Sequence, residues 1–197
     1  MAVQKPNSFL DLNSTSLLWV VDNVLTPHQC FELIQLVEKE GFYRTRHGTP
    51  GKTERFNARV IQTDMILAQL VYAKIKDVIP QELVGLRPLG TNDCLRFYRY
   101  EENDFFKPHQ DTDHFISSGN RSLLSVVVYL NSDYEGGELH IPARNEMIKP
   151  ECGQAVVFGH RLVHESKPIR SGVKYAFRTD VMYCDFEVPE VNHKTIF

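Results

Sequence analysis

His109-Gln110-Asp111 sets an imidazole and a carboxylate two positions apart. In an extended segment alternate side chains share a face, so both can point at one ion. A second imidazole, His164, follows the β-rich run QAVVFGHRLV and precedes a turn. Two neutral nitrogens and one carboxylate on one side of an ion leave its other positions open, which suits a non-haem Fe(II) centre that activates O2. Ten residues beyond His164, Lys174 heads the last long β-rich segment. A cation there can pair with the distal carboxylate of a dicarboxylate cosubstrate whose other end chelates the metal. H-x-D alone recurs often by chance; joined to the later histidine and lysine it becomes a specific pattern.

Nearby polar residues have plainer readings. Asp113 and His114 lie beyond the expected strand end, so they read as supports for the metal pair or as surface groups. His160 precedes His164 by four, a metal-binding spacing on a helix, but this segment reads as strand and loop and His160 as a hydrogen-bonding neighbour. His28, His47, His140 and His193 have no partners in sequence and read as ordinary. Arg178 and Asp180 read as solvent-facing or paired across strands. Taken singly, Lys174 is also a common kind of strand-end lysine, and Tyr98, Tyr100 and Tyr129 are common strand aromatics.

The elements that must position these groups change character along the chain. Residues 17–21 form a short apolar strand. Thr26-Pro27-His28-Gln29 reads as a helix start, with Thr as N-cap, Pro at the first helical position and Gln at the capping-box position. Phe31, Ile34 and Val37 recur at helical spacing until Gly41. A second amphipathic helix is expected over residues 64–78, with Leu67, Leu70, Val71, Ile75 and Val78 buried. Between the helices, residues 43–60 carry Arg44, Arg46, Lys52, Arg55 and Arg59 around Gly48, Pro50 and Gly51. They read as a solvated surface loop or, functionally, as a basic lid. From Cys94 onward, CLRFYRY, SLLSVVVYLN, GELHIP, QAVVF and KYAFRTDVMY are short β-rich runs separated by turns. The fold class is therefore mixed but mainly β: a jelly-roll core over about 92–186, supported by helices over about 22–80, in one domain spanning 1–197.

Bulk properties limit the rest. Apolar residues make up 42% and charged residues 24% of the 197, ordinary for a globular domain. A net charge of −3 with no dominant Lys/Arg block argues against nucleic-acid binding. Cys30, Cys94, Cys152 and Cys184 form no C-x-x-C pair and read as reduced thiols. The start of the chain does not read as a signal peptide, and the apolar runs are too short for a bilayer. The expectation is a soluble, cytoplasmic protein.

RYEENDFFKPHQD, SLLSVVVYLN, YEGGEL, GQAVVFGHRLVHES and SGVKYAFRTDVMY together resemble the prolyl 4-hydroxylase-like branch of the Fe(II)/2-oxoglutarate dioxygenases. That resemblance covers residues 99–183 and implies a double-stranded β-helix. It implies Fe(II) on His109, Asp111 and His164, and 2-oxoglutarate on Lys174 and Tyr100, with Tyr98 as a same-face alternative and Ser125 and Tyr129 in the same pocket. It also implies O2 as the oxidant, ascorbate as a reductant, and succinate formed as a substrate C–H is hydroxylated. The leading substrate is a peptidyl proline. Two positions depart from the family: Phe106 stands where many prolyl hydroxylases have tyrosine, and Asp180 where peptide-binding members often carry tryptophan. They open the alternatives of a free amino acid or other small molecule as substrate. A catalytically silent jelly roll that binds a metal or a partner protein is the rival from another class.

Overall fold

The computed structural model describes residues 11–47, 54–115 and 120–185. Strand β1 (Leu18–Val21) leads into helix α1 (Pro27–Glu40). The capping box closes as the sequence predicts: Gln29 N donates to Thr26 Oγ1 at 3.2 Å, and Thr26 N donates to Gln29 Oε1 at 2.9 Å. Gly41 ends the helix at φ 85°. Val37 on α1 is fully buried, whereas Phe31 stays 61% exposed.

Residues 43–60 are not a free loop. Strands β2 (Tyr43–His47) and β3 (Arg55–Thr63) pair antiparallel, Tyr43 opposite Arg59 and His47 opposite Arg55. Ala58 and Val60 are buried with half-buried Arg59 between them on the opposite face, a period of two that the surrounding arginines obscure. The part of the expected lid that joins the strands, residues 48–53, lies outside the described residues. Helix α2 (Met65–Ile75) is shorter than expected, starting after Asp64, whose Oδ1 accepts from Leu67 N at 2.9 Å. It buries Leu67, Ala68, Val71 and Ile75, while Val78 lies past its end and is exposed.

The remaining strands are β4 (Arg87–Thr91), β5 (Cys94–Tyr100), β6 (Phe105–His109), β7 (Arg121–Tyr129), β8 (Glu135–Gly136), β9 (Leu139–Ile141), β10 (Glu146–Ile148), β11 (Ala155–Gly159), β12 (His164–Ser166), β13 (Ile169–Ser171) and β14 (Lys174–Cys184). One antiparallel sheet runs in the order β1-β11-β7-β14-β5-β3-β6-β12-β9-β10, with β2 on β3, β4 on β14, and β8 paired separately with β13. The sheet curls into a mainly β jelly roll.

Alternation along its central strands divides the interior. Leu95, Phe97, Leu124, Val126, Val128, Phe177 and Val181 face α1 and α2 and pack with Cys30, Val37, Val71 and Ile75. The intervening residues face the inside of the roll. Because both faces of β7 are covered, its sequence SLLSVVVY is almost continuously apolar rather than alternating.

Candidate metal centre

Strand register decides which side chains meet. His164 on β12 pairs directly with His109 on β6, so their rings lie 4.2 Å apart. Asp111 follows β6 and is pinned by its backbone N–H, which donates to His160 O at 2.9 Å. The ligand-type atoms of His109, Asp111 and His164 all lie within 4.8 Å of one another. Asp111 Oδ1 is 3.9 Å from His109 Nε2, and Oδ2 is 3.8 Å from His164 Nε2.

The protonation states suit a cation. His109 Nδ1 lies 2.8 Å from Lys107 O and His164 Nδ1 2.9 Å from Leu162 O. A carbonyl only accepts, so each Nδ1 carries the proton and each Nε2 keeps a lone pair toward Asp111. Burial and the adjacent His164 push the His109 pKa down to about 4, and burial also lowers that of His164, so both rings stay neutral. Burial alone would raise the Asp111 carboxyl, but the Arg178 guanidinium and the Ser125 hydroxyl outweigh it and keep it ionised. Two neutral imidazoles and a carboxylate are the forms a divalent ion binds, and the group fits one. Phe106 stacks on His109 at 3.5 Å between centroids, and Arg55 lies over the Phe106 ring at 5.2 Å.

The same register builds the pocket beyond these residues. On β14, Lys174, Ala176, Arg178 and Asp180 point into the roll. Lys174 lies opposite Tyr100 and Ala176 opposite Tyr98 on β5, while Ala176 lies opposite Tyr129 and Asp180 opposite Ser125 on β7. Tyr98, Tyr100, Tyr129, Ser166, Lys174 and Arg178 therefore line one cavity with the metal group.

Lys174 closes the end away from the metal group. It is only 3% exposed, and its Nζ donates to Gly137 O at 2.6 Å and Ser166 Oγ at 3.2 Å. The rings of Tyr129, Tyr100 and Tyr134 surround it at 5.1, 5.3 and 6.0 Å. No salt bridge holds it among the described residues, and burial lowers its pKa to about 7. Gly137 makes this contact possible: at φ 65° an added Cβ would lie 2.4 Å from Ile169 Cδ1.

Ser125 sits behind the metal group, its Oγ donating to Asp111 Oδ2 at 2.5 Å. Arg178 and Asp180 correct the reading of a solvent-facing pair. Asp180 is fully buried, and Arg178 spans it and Asp111. The signal was present in the sequence, since Arg178 and Asp180 share the parity of Lys174 and must face the same way in a strand. Asp180 also lies 3.4 Å from Arg96, so cross-strand pairing holds for it. His160 Nδ1 is 3.3 Å from Asp113 Oδ1, and His114 Nε2 is 3.2 Å from Arg96. Both are neighbours of the group rather than members. His28 pairs with Glu32 and His140 with Glu165, while His193 lies outside the described residues.

Residues 95–179 match the model of the 2OG-Fe(II) oxygenase superfamily. A protein of Acanthamoeba polyphaga mimivirus that carries a provisional prolyl 4-hydroxylase name is 23% identical over 176 residues, covering 80% of this chain and 70% of that protein. Among solved structures, the viral collagen prolyl hydroxylase of Paramecium bursaria Chlorella virus-1, in complex with 2OG, has a TM-score of 0.64 at 19% identity, over 85% of this chain and 96% of the other. A Trichoplax adhaerens prolyl hydroxylase in complex with a hypoxia inducible factor peptide fragment has a TM-score of 0.62 at 17% identity, over 85% of this chain and 84% of the other. The matched stretch begins on β5 and ends on β14, encloses all three metal-ligand candidates and Lys174, and is a 2OG-Fe(II) oxygenase domain whose relatives and structural neighbours are prolyl 4-hydroxylases.

Proposed function

We propose that this enzyme hydroxylates a peptidyl proline, using Fe(II) on His109, Asp111 and His164 and 2-oxoglutarate anchored by Lys174. Fe(II), 2-oxoglutarate and O2 are the requirements of its superfamily. One observation carries the site assignment: three ligand-type atoms within 4.8 Å of one another share a cavity with a buried lysine that has no acidic partner among the described residues. A dicarboxylate of the right length satisfies both ends at once.

The bound iron would supply the redox chemistry that couples decarboxylation of the cosubstrate to oxygen insertion into a C–H bond. The chain's own residues bind, orient and exclude water. His109 and His164 present lone pairs from rings locked by their Nδ1–H bonds to Lys107 O and Leu162 O. Lys174 offers an ammonium from a dry aromatic wall, where its pairing with a carboxylate is strong because water does not compete. Tyr100 and Tyr129 shape that end of the pocket, and Ser125 holds the Asp111 carboxylate. Phe106 covers one face of His109 and lines the same pocket.

The peptide substrate is carried over from relatives of this branch, among them the peptide complex described above. An intracellular location is part of the same reading, supported by four free thiols. No helix among the described residues is long and apolar enough to cross a membrane. We read the chain as one catalytic unit. Anaerobic titration with Fe(II) and 2-oxoglutarate, followed by O2 with a panel of peptides and metabolites read by mass spectrometry, tests the proposal. A 16 Da gain on peptidyl proline, of about one oxygen atom, with matching succinate supports it; hydroxylation of free amino acids alone, or no succinate with any substrate, overturns it.

A further inference from the structure

Behind Asp111 lies a buried set of charges that the reaction as described does not use. Arg178 Nη1 donates to Asp111 Oδ1 at 2.6 Å. Its other edge grips Asp180 Oδ1, from Nη2 at 2.7 Å and from Nε at 3.1 Å. Asp180 Oδ2 lies 3.4 Å from Arg96 Nη1, and Asp180 Oδ1 lies 3.4 Å from His160 Nε2. The side chains of Asp180 and Arg178 are 0% and 14% exposed.

This arrangement limits how Asp111 can turn. The torsion that rotates a carboxylate about its stem is broad and weakly restrained. Ser125 holds Oδ2 and Arg178 holds Oδ1, so the plane is fixed with each oxygen toward a different imidazole. Arg178 is fixed in turn, because a guanidinium is planar and Asp180 occupies its second edge.

We propose that Arg178 is a positioning residue for the metal: anchored on Asp180, it holds the Asp111 carboxylate facing His109 and His164 before the ion arrives. This rests on the reading of those three residues as the metal centre. The rival role for Arg178 is a counter-ion that stands in for the metal and competes with it. The two roles differ in sign. Loss of a positioning residue weakens metal binding, whereas loss of a competitor tightens it.

Mn(II) titration of the full chain, without 2-oxoglutarate or O2, separates them, with circular dichroism to establish folding. Arg178→Met weakens Mn(II) binding about 10- to 100-fold, the usual effect of losing a hydrogen-bond partner of a ligand. Arg178→Lys recovers part of this, since an ammonium reaches one carboxylate but does not span two in a fixed plane. Asp180→Asn weakens binding by less, although Asp180 touches no ligand atom. The charge-balanced pair Arg178→Gln with Asp180→Asn loses no more than Arg178→Met, because the two act as one unit. If Arg178→Met does not fold, that pair removes one charge of each sign and decides the matter. Mn(II) binding as tight as wild type, or tighter, in a folded Arg178→Met or paired variant overturns the proposal. Wild-type protein that binds no Mn(II) overturns the metal-centre reading itself, and the proposal with it.

Discussion

At the metal end of the pocket, Asp111 and Asp180 share Arg178, and Asp180 also faces Arg96. At the other end, Lys174 is as deeply buried but, among the described residues, meets tyrosine rings, a hydroxyl and a carbonyl instead of a carboxylate. A buried ion without a partner costs several kcal/mol, roughly, even after relaxation. The metal end avoids that cost by pairing each buried carboxylate with a guanidinium. The lysine end bears it as a pKa lowered to about 7. In the proposed function, a dicarboxylate supplies the charge that Lys174 lacks. On that reading one end is assembled in advance, and the other is completed by its ligand.

The largest effects belong to the assembled end. Changing His109, Asp111 or His164 to Ala removes Mn(II) and Fe(II) binding and reduces turnover to background, with near-native circular dichroism. Near-native iron content and activity in Asp111→Ala would erase the comparison. At the lysine end, Lys174→Ala raises the half-saturating 2-oxoglutarate concentration about 100-fold, the cost of removing one partner of a buried charge pair, and leaves Mn(II) affinity unchanged. Lys174→Arg falls between, and isothermal titration calorimetry reads both.

The pH dependence distinguishes the ends further. Ligand-free Lys174 loses its proton above about pH 7, yet it must be charged to pair with a carboxylate. Affinity for 2-oxoglutarate therefore falls above that pH, approaching about tenfold per pH unit, with proton uptake on binding. Stability of the ligand-free protein runs the other way. The folded-state pKa lies below the unfolded value of about 10.4, so between the two the unfolded chain holds more protons and folding gains as pH rises. Lys174→Met flattens that slope in urea melts. A 2-oxoglutarate affinity that does not change between pH 6.5 and 8.5, a span of about two units around the group's pKa, would show that Lys174 is not its anchor.

The smallest effects separate neighbours from members. Ser125→Ala weakens Mn(II) binding severalfold, roughly, because one of two carboxylate restraints remains. His114→Ala changes metal and cosubstrate affinities by less than about twofold, since its side chain is 46% exposed and contacts Arg96.

Legibility followed how local each signal is. Thr26, Pro27 and Gln29 act within one helical turn, so α1 was readable from those residues. Strand β6 was not: EENDFFKP is not among the β-rich runs, yet Phe105–His109 is a strand because β3 and β12 complete its hydrogen bonds. Residues 43–60 misled for the same reason, as arginines masked a ladder that β5 and β6 stabilise from one side. The resemblance placed Ser125 in the pocket, but which group its hydroxyl reaches depends on where Asp111 falls.

Residue type and order alone determined the helix caps, the β-rich C-terminal half, the imidazole and carboxylate chemistry and the parity that puts Lys174, Arg178 and Asp180 on one face. These depend on bonds and torsions a few residues long. Only the tertiary structure decided that His164 pairs with His109, that Lys174 is buried without a carboxylate partner among the described residues, and that Arg178 joins Asp111 to Asp180. Such contacts are set by strand register between distant segments, and a slip of one residue would turn each of those side chains to the opposite face.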